Sequence, residues 1–476
     1  MTLQHILYFT VFTIVISRLS HGLFRHYLLL TGSLFAVFWL QPASSIRNLD
    51  FWLPVVSIGM VVIIWILTQP KNPDRKHKLR LEILIISGVV TFIGATRYFG
   101  NLCCLTATRP PPIIQIIIVL TILGCFGLLL QHFSQIQKSL LWLAGILIIV
   151  IFILLKYDIY ALHLSQFLRN WMGQDPSLAT TSDLPWLGYS YLAFRLLHTI
   201  RDAQGKKLPD YSLGEFTTYA LFFPALTAGP IDRSERFIRD YRSPSQETNR
   251  NTWIGLQRVL VGLLKKFVLA DSLALFALNS QNANQVGAPI WMWIVLYTYS
   301  LRLYLDFSGY TDIALGLGAI VGINLPENFN APYFRTNLTA FWNSWHITLA
   351  NWFRAYLFNP LTRFLRGGNF KLPVWPIVLV GQITTMTLIG LWHGITWNFF
   401  IWGLWHALGL FVHNRWTEWR RRRIINIEIH PWKQKYISFF SWLITFHYVT
   451  LGWVWFALPG TDISGRVFST LFGLGS

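Results

Sequence analysis

The feature that most constrains this chain is a series of uncharged apolar runs about as long as a bilayer is thick. Residues 2–17, 26–46, 51–68, 113–131 and 140–155 contain no Asp, Glu, Lys or Arg. A helix needs roughly 20 mostly apolar residues to cross the hydrocarbon core, and these runs approach or reach that length. Backbone N–H and C=O groups in lipid must be satisfied within the segment, so each run is expected to be a helix. With 53% of its residues hydrophobic and 12% charged, the chain falls outside the range of ordinary soluble domains. The expectation is an all-α polytopic membrane protein with roughly ten to twelve transmembrane helices, plus re-entrant or interfacial ones. The first run has no small-residue cleavage pattern behind it and reads as a retained helix rather than a signal peptide.

Charge gives orientation. The 39 Lys and Arg exceed the 20 Asp and Glu by 19. In a membrane chain, basic loops mark the cytoplasmic face more often than a nucleic-acid surface, and no nucleic-acid partner is expected. The basic stretches 71–80, 233–242, 363–366 and 415–423 are assigned to that side. The expected location is the cell (plasma or inner) membrane, as a multi-pass protein in contact with its lipids. Most of the 23 Trp suit interfacial belts. The three cysteines, Cys103, Cys104 and Cys125, have neither metal-ligand spacing nor a disulfide pattern.

The character of the chain changes near residue 184. Residues 1–180 read as apolar helices with nothing catalytic among them, and 170–183 as an extramembrane loop. Residues 181–415 form the functional core, and 416–476 a cytoplasmic loop with a last crossing. In the core, apolar segments carry polar residues. Arg195 and His198, three apart, share a helix face that should avoid lipid. Ser308-Gly309, between Asp306 and Asp312, is a candidate bend. The two acids are expected to pair with arginines such as Arg302 or Arg335. Stretch 338–358 reads as one interfacial or re-entrant helix capped by Asn337 or Thr336, with Asn343 and His346 on one face and Trp342, Trp345 and Trp352 along its flank. His406 and His413 are taken as interface residues at a helix end.

Leu391-Trp392-His393-Gly394-Ile395-Thr396-Trp397 interrupts the longest uncharged run of the C-terminal half, 372–414. A titratable ring there is either functional or a structural group bonded to a neighbouring helix. An imidazole can take a proton from a hydroxyl near neutral pH, which acyl transfer to an alcohol requires. No nucleophile elbow, Walker loop or zinc-protease motif is present. The residues alone point to a membrane enzyme with a histidine base. An acyl or lipid transporter, an inactive envelope scaffold and a lipid-metabolising enzyme stand as alternatives.

Several blocks in a fixed order resemble the membrane-bound O-acyltransferase family. They are Tyr191-Leu192-Ala193-Phe194-Arg195, Leu213-Gly214-Glu215-Phe216, Gly229-Pro230-Ile231-Asp232-Arg233, Phe341-Trp342-Asn343-Ser344-Trp345-His346, Trp352-Phe353-Arg354 and Trp392-His393-Gly394-Ile395-Thr396-Trp397. Within the family the chain is similar to the bacterial branch of alginate O-acetylation and teichoic acid D-alanylation, and more so to the latter. The resemblance implies helices around a central tunnel, a cytoplasmic thioester donor and an external hydroxyl acceptor on a polysaccharide or teichoic-acid-like polymer. It implies His393 as catalytic base with His346 beside it, and Asn343, Trp342, Trp345, Arg354 and Trp392 as substrate contacts. It places donor docking at Tyr356, Leu357, Phe358, Arg363 and Arg366. The donor would be acyl-coenzyme A or a phosphopantetheinyl acyl carrier protein, with no bound cofactor or metal and with a possible envelope partner protein. Two departures stand out: Ala355 follows Arg354 where the family often has an acid, and Ser344 replaces a commonly basic residue.

Overall fold

The computed structural model describes residues 1–19, 22–69, 76–100, 105–132, 137–205, 208–243, 248–367, 373–423 and 430–474. The expectations placed on Cys103, Cys104 and residues 71–75 fall outside these. Among the described residues the chain is helical and contains no strand. Six helices are long and apolar enough to cross a membrane: Leu49–Thr68, His77–Tyr98, Ile113–Leu130, Gln137–Lys156, Val374–His393 and Pro431–Ala457. Leu3–Arg18 and Leu23–Trp39 are shorter apolar helices. Ile113–Leu130 and Gln137–Lys156 bury only 11% of their apolar windows, so much of their surface is available to lipid. In water such a surface would aggregate, whereas lipid solvates it. The protein is an all-α polytopic membrane protein.

The chain forms two compact units. The first comprises Met1–Val259 and Ile313–Pro326, and the second Leu260–Asp312 and Glu327–Ser476. The helices, in order, begin with α1 Leu3–Leu19, α2 Leu23–Trp39, α3 Leu49–Thr68, α4 Lys76–Ala95, α5 Ile113–His132, α6 Gln137–Lys156 and α7 Asp158–Trp171. They continue with α8 Tyr189–Gln204, α9 Leu213–Ala220, α10 Ser234–Arg242 and α11 Thr248–Leu263, whose last turns pass into the second unit. That unit holds α12 Asp271–Ala274, α13 Asn282–Gln285, most of α14 Pro289–Ile320, α15 Leu338–Trp342, α16 Ile347–Phe353 and α17 Asn359–Gly367. It closes with α18 Val374–His393, α19 Trp397–Arg423, α20 Pro431–Ala457 and α21 Thr461–Leu471.

In the first unit a buried polar network ties helices together at one end. His26 Nε2 lies 3.1 Å from Glu82 Oε1, and His26 Nδ1 lies 2.6 Å from the Tyr241 hydroxyl. Ser212 Oγ donates to Glu82, and Arg242 grips Glu215 through two 2.8 Å bonds. A Cβ on Gly214 would sit 2.8 Å from Glu82 Oε1 and 2.9 Å from His26 Nε2, so only glycine leaves room for this pair. Arg25 donates to the backbone carbonyls of Tyr241 and Val321. α2 and α4 therefore begin, and α10 lies, at the same end. The described part of one basic stretch assigned to the cytoplasm, 76–80, and the whole of another, 233–242, thus lie at that end, although the second is largely a helix rather than a loop. Arg195 and His198 turn inward, as their shared face suggests. Arg195 donates to the carbonyls of Ala220 and Ala225, and His198 meets the Tyr219 hydroxyl at 2.7 Å.

At the opposite end, Gln41 donates to the Pro185 carbonyl and Ser44 to that of Asp183. Asp183 is buried and accepts from Ser165, Arg169 and Thr180. Burial pushes its pKa up, but the bonds from Arg169, Ser165 and Thr180 hold it well below the usual carboxylate range.

In the second unit α14 runs unbroken through Ser308-Gly309. Gly309 serves packing, because a Cβ there would lie 2.8 Å from the Gly262 carbonyl oxygen. Asp312 pairs with Lys265 at 2.6 Å and Asp306 with Lys266. These are lysine pairs where arginine partners such as Arg302 or Arg335 had been expected, and α11 and its continuation bring the lysines alongside. α18 and α19 form a hairpin with backbone-level contact. A Cβ on Gly390 would meet the Phe399 carbonyl oxygen at 2.1 Å, and one on Gly403 the Met386 carbonyl oxygen at 2.5 Å. Small residues at such crossings are the usual device of helices packing in lipid.

Candidate active site

Stretch 338–358 is not one helix. Asn337 caps α15 by accepting from the Ala340 N–H at 2.8 Å, but α15 ends after five residues. The chain turns through 343–346 and restarts at Ile347. His346 sits in the turn with φ 43° and ψ 52°, a left-handed conformation that residues carrying a Cβ rarely adopt. Asn343 and His346 therefore do not share a face: Asn343 is exposed and His346 is buried. The strained turn is clamped by the loop before it. The Asn330 N–H donates to Ser344, the Ile347 N–H donates to the Asn328 carbonyl, and the Asn328 side chain accepts from the Thr348 N–H and hydroxyl. Asn328 is fully buried. Sequence reading passed over it as part of a polar, proline-containing loop.

His346 is held by shape rather than by polar bonds. Its ring lies edge-on to Phe307 at 4.7 Å, and neither ring nitrogen has a hydrogen-bond partner among the described residues. Buried polar groups are normally satisfied, so two orphaned imidazole nitrogens single out His346 as a candidate functional group. Trp392 links this ring to the second histidine. Its centre lies 6.1 Å from His346 and 4.6 Å from His393. His393 is the last residue of α18, where Gly394 ends the helix in an extended conformation. Its ring, half-buried, packs edge-on to Phe456 at 4.7 Å and Trp402 at 5.7 Å. The two histidines, 47 residues apart in sequence, thus meet in one aromatic cluster.

A third histidine belongs to this cluster. His406 is not at a helix end but inside α19, completely buried, with its ring 5.1 Å from Trp342 and 5.0 Å from Trp402. Both of its ring nitrogens lack partners among the described residues. Nε2 faces Gly452, where a Cβ would come within 2.9 Å. The sequence suggested an interface residue at a helix end, and only the packing reveals its burial. His413 is different: it is half-buried and lies 3.1 Å from the Thr339 hydroxyl.

Next to the cluster is a cavity of ≈ 150 Å3 lined by Trp342, Asn343, Arg354 and Phe358 together with Gln382, Thr385 and Met386 of α18. Arg354 donates to Asn343 Oδ1 at 2.5 Å and to Asn351 at 3.4 Å. Asn343 thus supplies the acceptor that no acid at position 355 provides. The predicted contact residues divide: Trp342, Asn343 and Arg354 reach the cavity, Trp392 joins the histidines, and Trp345 is buried between Phe341, Phe329 and Trp453 as part of the scaffold.

Arg354–Phe358 forms a π-helical turn, a geometry enriched at functional sites. Tyr356, Leu357 and Phe358 lie in it half-buried, and Phe358 turns into the cavity wall. Arg363 and Arg366 are exposed on α17, a helix where a loop had been expected, and they flank Phe364, which is 72% exposed. Phe364 was not singled out in the sequence.

Comparison with known proteins agrees with this geometry. Residues 128–454 match the model of MBOAT, the membrane-bound O-acyltransferase family. A peptidoglycan O-acetyltransferase of Helicobacter pylori is 36% identical over 270 residues, covering 56% of this chain and 48% of that protein. A probable alginate O-acetylase of Azotobacter vinelandii is 33% identical over 309 residues, 64% of this chain and 56% of that protein. A teichoic acid D-alanyltransferase of Streptococcus thermophilus is 36% identical over 253 residues, 52% of this chain and 60% of that protein. The chain therefore spans about half the length of the curated relatives it matches. The match extends over most of the chain and includes every histidine of the cluster, and the chain belongs to the membrane-bound O-acyltransferase family.

Proposed function

We propose that this protein transfers a short acyl group, acetyl or D-alanyl, from a thioester donor on the cytoplasmic side to a hydroxyl of a cell-envelope polymer outside. His393 is the general base in this reading. It removes the acceptor proton as the hydroxyl oxygen attacks the thioester carbonyl; the C–S bond then breaks and the thiol leaves protonated. His346 orients the donor or acceptor, and Trp392 keeps the two imidazoles at a fixed separation. The observation that carries the proposal is their convergence through Trp392, with His346 buried and both its ring nitrogens without a hydrogen-bond partner among the described residues. Polar interactions in such a water-poor setting are stronger than in solution.

The cavity beside the cluster is small, ≈ 150 Å3, and although neither His346 nor His393 lines it, its size favours a short acyl group over a fatty chain. The named relatives are two O-acetylating proteins and a D-alanyltransferase, in keeping with that size. Exposed Arg363, Phe364 and Arg366 offer an acidic donor both charge and an apolar anchor, which favours an acyl carrier protein over coenzyme A alone. The setting is the cell's inner or plasma membrane, with an envelope protein as a further partner.

Purified protein in lipid nanodiscs, supplied with an acyl thioester and a soluble polysaccharide or glycerol-phosphate acceptor, tests this directly. A folded His393→Ala variant should lose transfer by at least about 100-fold, the usual scale of a lost general base. Turnover close to wild type would falsify the assignment. Charge reversal at Arg363 and Arg366 should slow donor association, with the defect shrinking as salt is raised.

A further inference from the structure

We propose that the end of the first unit opposite its basic face binds the phosphate of an anionic phospholipid in an arginine-lined pocket. The pocket has a volume of ≈ 480 Å3 and is lined by Arg47, Arg97 and Arg109 with Asn48, Ser45 and Gln115 among its other walls. That lies within the roughly 300–1,000 Å3 typical of small-ligand sites. Arg97 is anchored by donating to the Pro110 carbonyl. The Arg47 and Arg109 side chains are exposed and have no ion-pair or hydrogen-bond partner among the described residues. The nearby acid does not neutralise them, because buried Asp50 spends its oxygens on the Thr108 N–H and hydroxyl at 2.8 and 2.7 Å. α3 begins directly after Asn48 and α5 directly after Pro112, which also lines the pocket, so two helix ends with partial positive charge adjoin the three guanidiniums.

Position sharpens the argument. α3 ends and α4 begins at the end that carries the basic stretches, so the pocket lies at the other end. The positive-inside bias depletes arginine on that outer face, yet three converge there. Guanidinium forks match phosphate oxygens and hold their charge at any ordinary pH. What selects a lipid over a soluble anion is the rim. Tyr98 and Phe99, next to Arg97, are 58% and 54% exposed, and the Tyr98 hydroxyl accepts from the Ile113 N–H. Ile114, Ile117 and Ile118 continue an exposed apolar stripe down α5 from the pocket. A headgroup in the pocket would leave its acyl chains against that stripe, and a free anion would make no use of it.

The test uses the full chain in neutral detergent, with short-chain phosphatidylglycerol, phosphatidylcholine and glycerol 3-phosphate as ligands and native mass spectrometry as the readout. Wild type should bind phosphatidylglycerol about tenfold or more tighter than either alternative, and added salt should weaken that binding. The R47Q/R109Q variant should lose the preference, and R47K/R109K should keep most of it. Neither side chain has a partner among the described residues, so both variants should melt with the wild type. Should the glutamine variant misfold, the lysine variant and the salt series decide. Equal binding of the two lipids, or a folded R47Q/R109Q that still prefers phosphatidylglycerol, overturns the proposal. So does glycerol 3-phosphate competing at the lipid's own affinity, which would make this a free-phosphate site. Displacement of the lipid by an anionic oligosaccharide at lower concentration also overturns it, in favour of a polymer.

Discussion

His346 is the residue at which the fold gives up most for its site. A left-handed backbone at a residue with a Cβ costs about 1–2 kcal/mol, and glycine avoids that cost. His346→Gly should therefore melt above His346→Ala in the same detergent, while both transfer acyl groups poorly. If the two variants melt alike, the turn relaxes without the imidazole. Asn328 holds the turn with its carbonyl and amide oxygens, so Asn328→Ala should lower turnover several-fold with His346 still in place, whereas Asn328→Asp should recover part of it by keeping an acceptor. Asp183 gives a pH handle at the other end of the chain's fold. Its folded-state pKa is depressed, so its contribution to stability is intact above the ordinary carboxylate range and is lost as pH falls through and below it. Acid titration of the melting temperature should be shallower for Asp183→Asn than for wild type, and that variant should be less stable at pH 7. Of the candidate site, His393 was legible as a titratable ring in an uncharged run, and His346 through the family blocks that contain it. His406, in the same run, was read as an interface residue at a helix end because its burial depends on which helices pack around it, and Asn328 lies in a loop whose role exists only once the turn is folded.

The α18–α19 hairpin shows how an element is read incompletely from its sequence. An apolar run with a break at Gly394 predicts two helices, and the structure has them. What periodicity could not convey is that Gly390 and Gly403 bring the two backbones into contact, because nothing in the pattern separates a packing glycine from a flexible one. Gly309 misled for the same reason. Beside Ser308 it suggested a bend or break, and what the structure shows is close approach within a continuous helix. The lysine partners of Asp306 and Asp312 lie 40 and 47 residues away, too far for local spacing to indicate. Gly390→Ala should cost about 1–3 kcal/mol through overpacking against the Phe399 carbonyl, read as a lowered melting temperature. Gly88 meets nothing within 4 Å, and Gly88→Ala should leave the melting temperature unchanged or slightly raised.

Across the molecule, the charge bias gave an orientation, and the first unit agrees with it by gathering α10 and the starts of α2 and α4 at one end. That orientation is open to a direct check. In a background with native cysteines replaced by serine, Arg109→Cys should react with a membrane-impermeant maleimide in intact cells, and Arg239→Cys only after permeabilisation. The reverse pattern would turn the chain over and move the arginine pocket to the cytoplasm. The sequence hid that pocket because its three arginines come from separate segments, each of which reads alone as an ordinary loop charge.

The π turn Arg354–Phe358 can also be viewed as an insertion. Its bonds span five residues instead of four, so this stretch holds one residue more than an α-helix needs for the same length. Shortening the chain there by one residue would not break the helix; it would restore ordinary winding. Every side chain beyond would then swing about 100° around the axis, carrying Arg363, Phe364 and Arg366 to a different bearing while α16 stayed in place. The extra residue thus works as an angular offset, setting which way the exposed end of α17 faces independently of the cavity wall behind it.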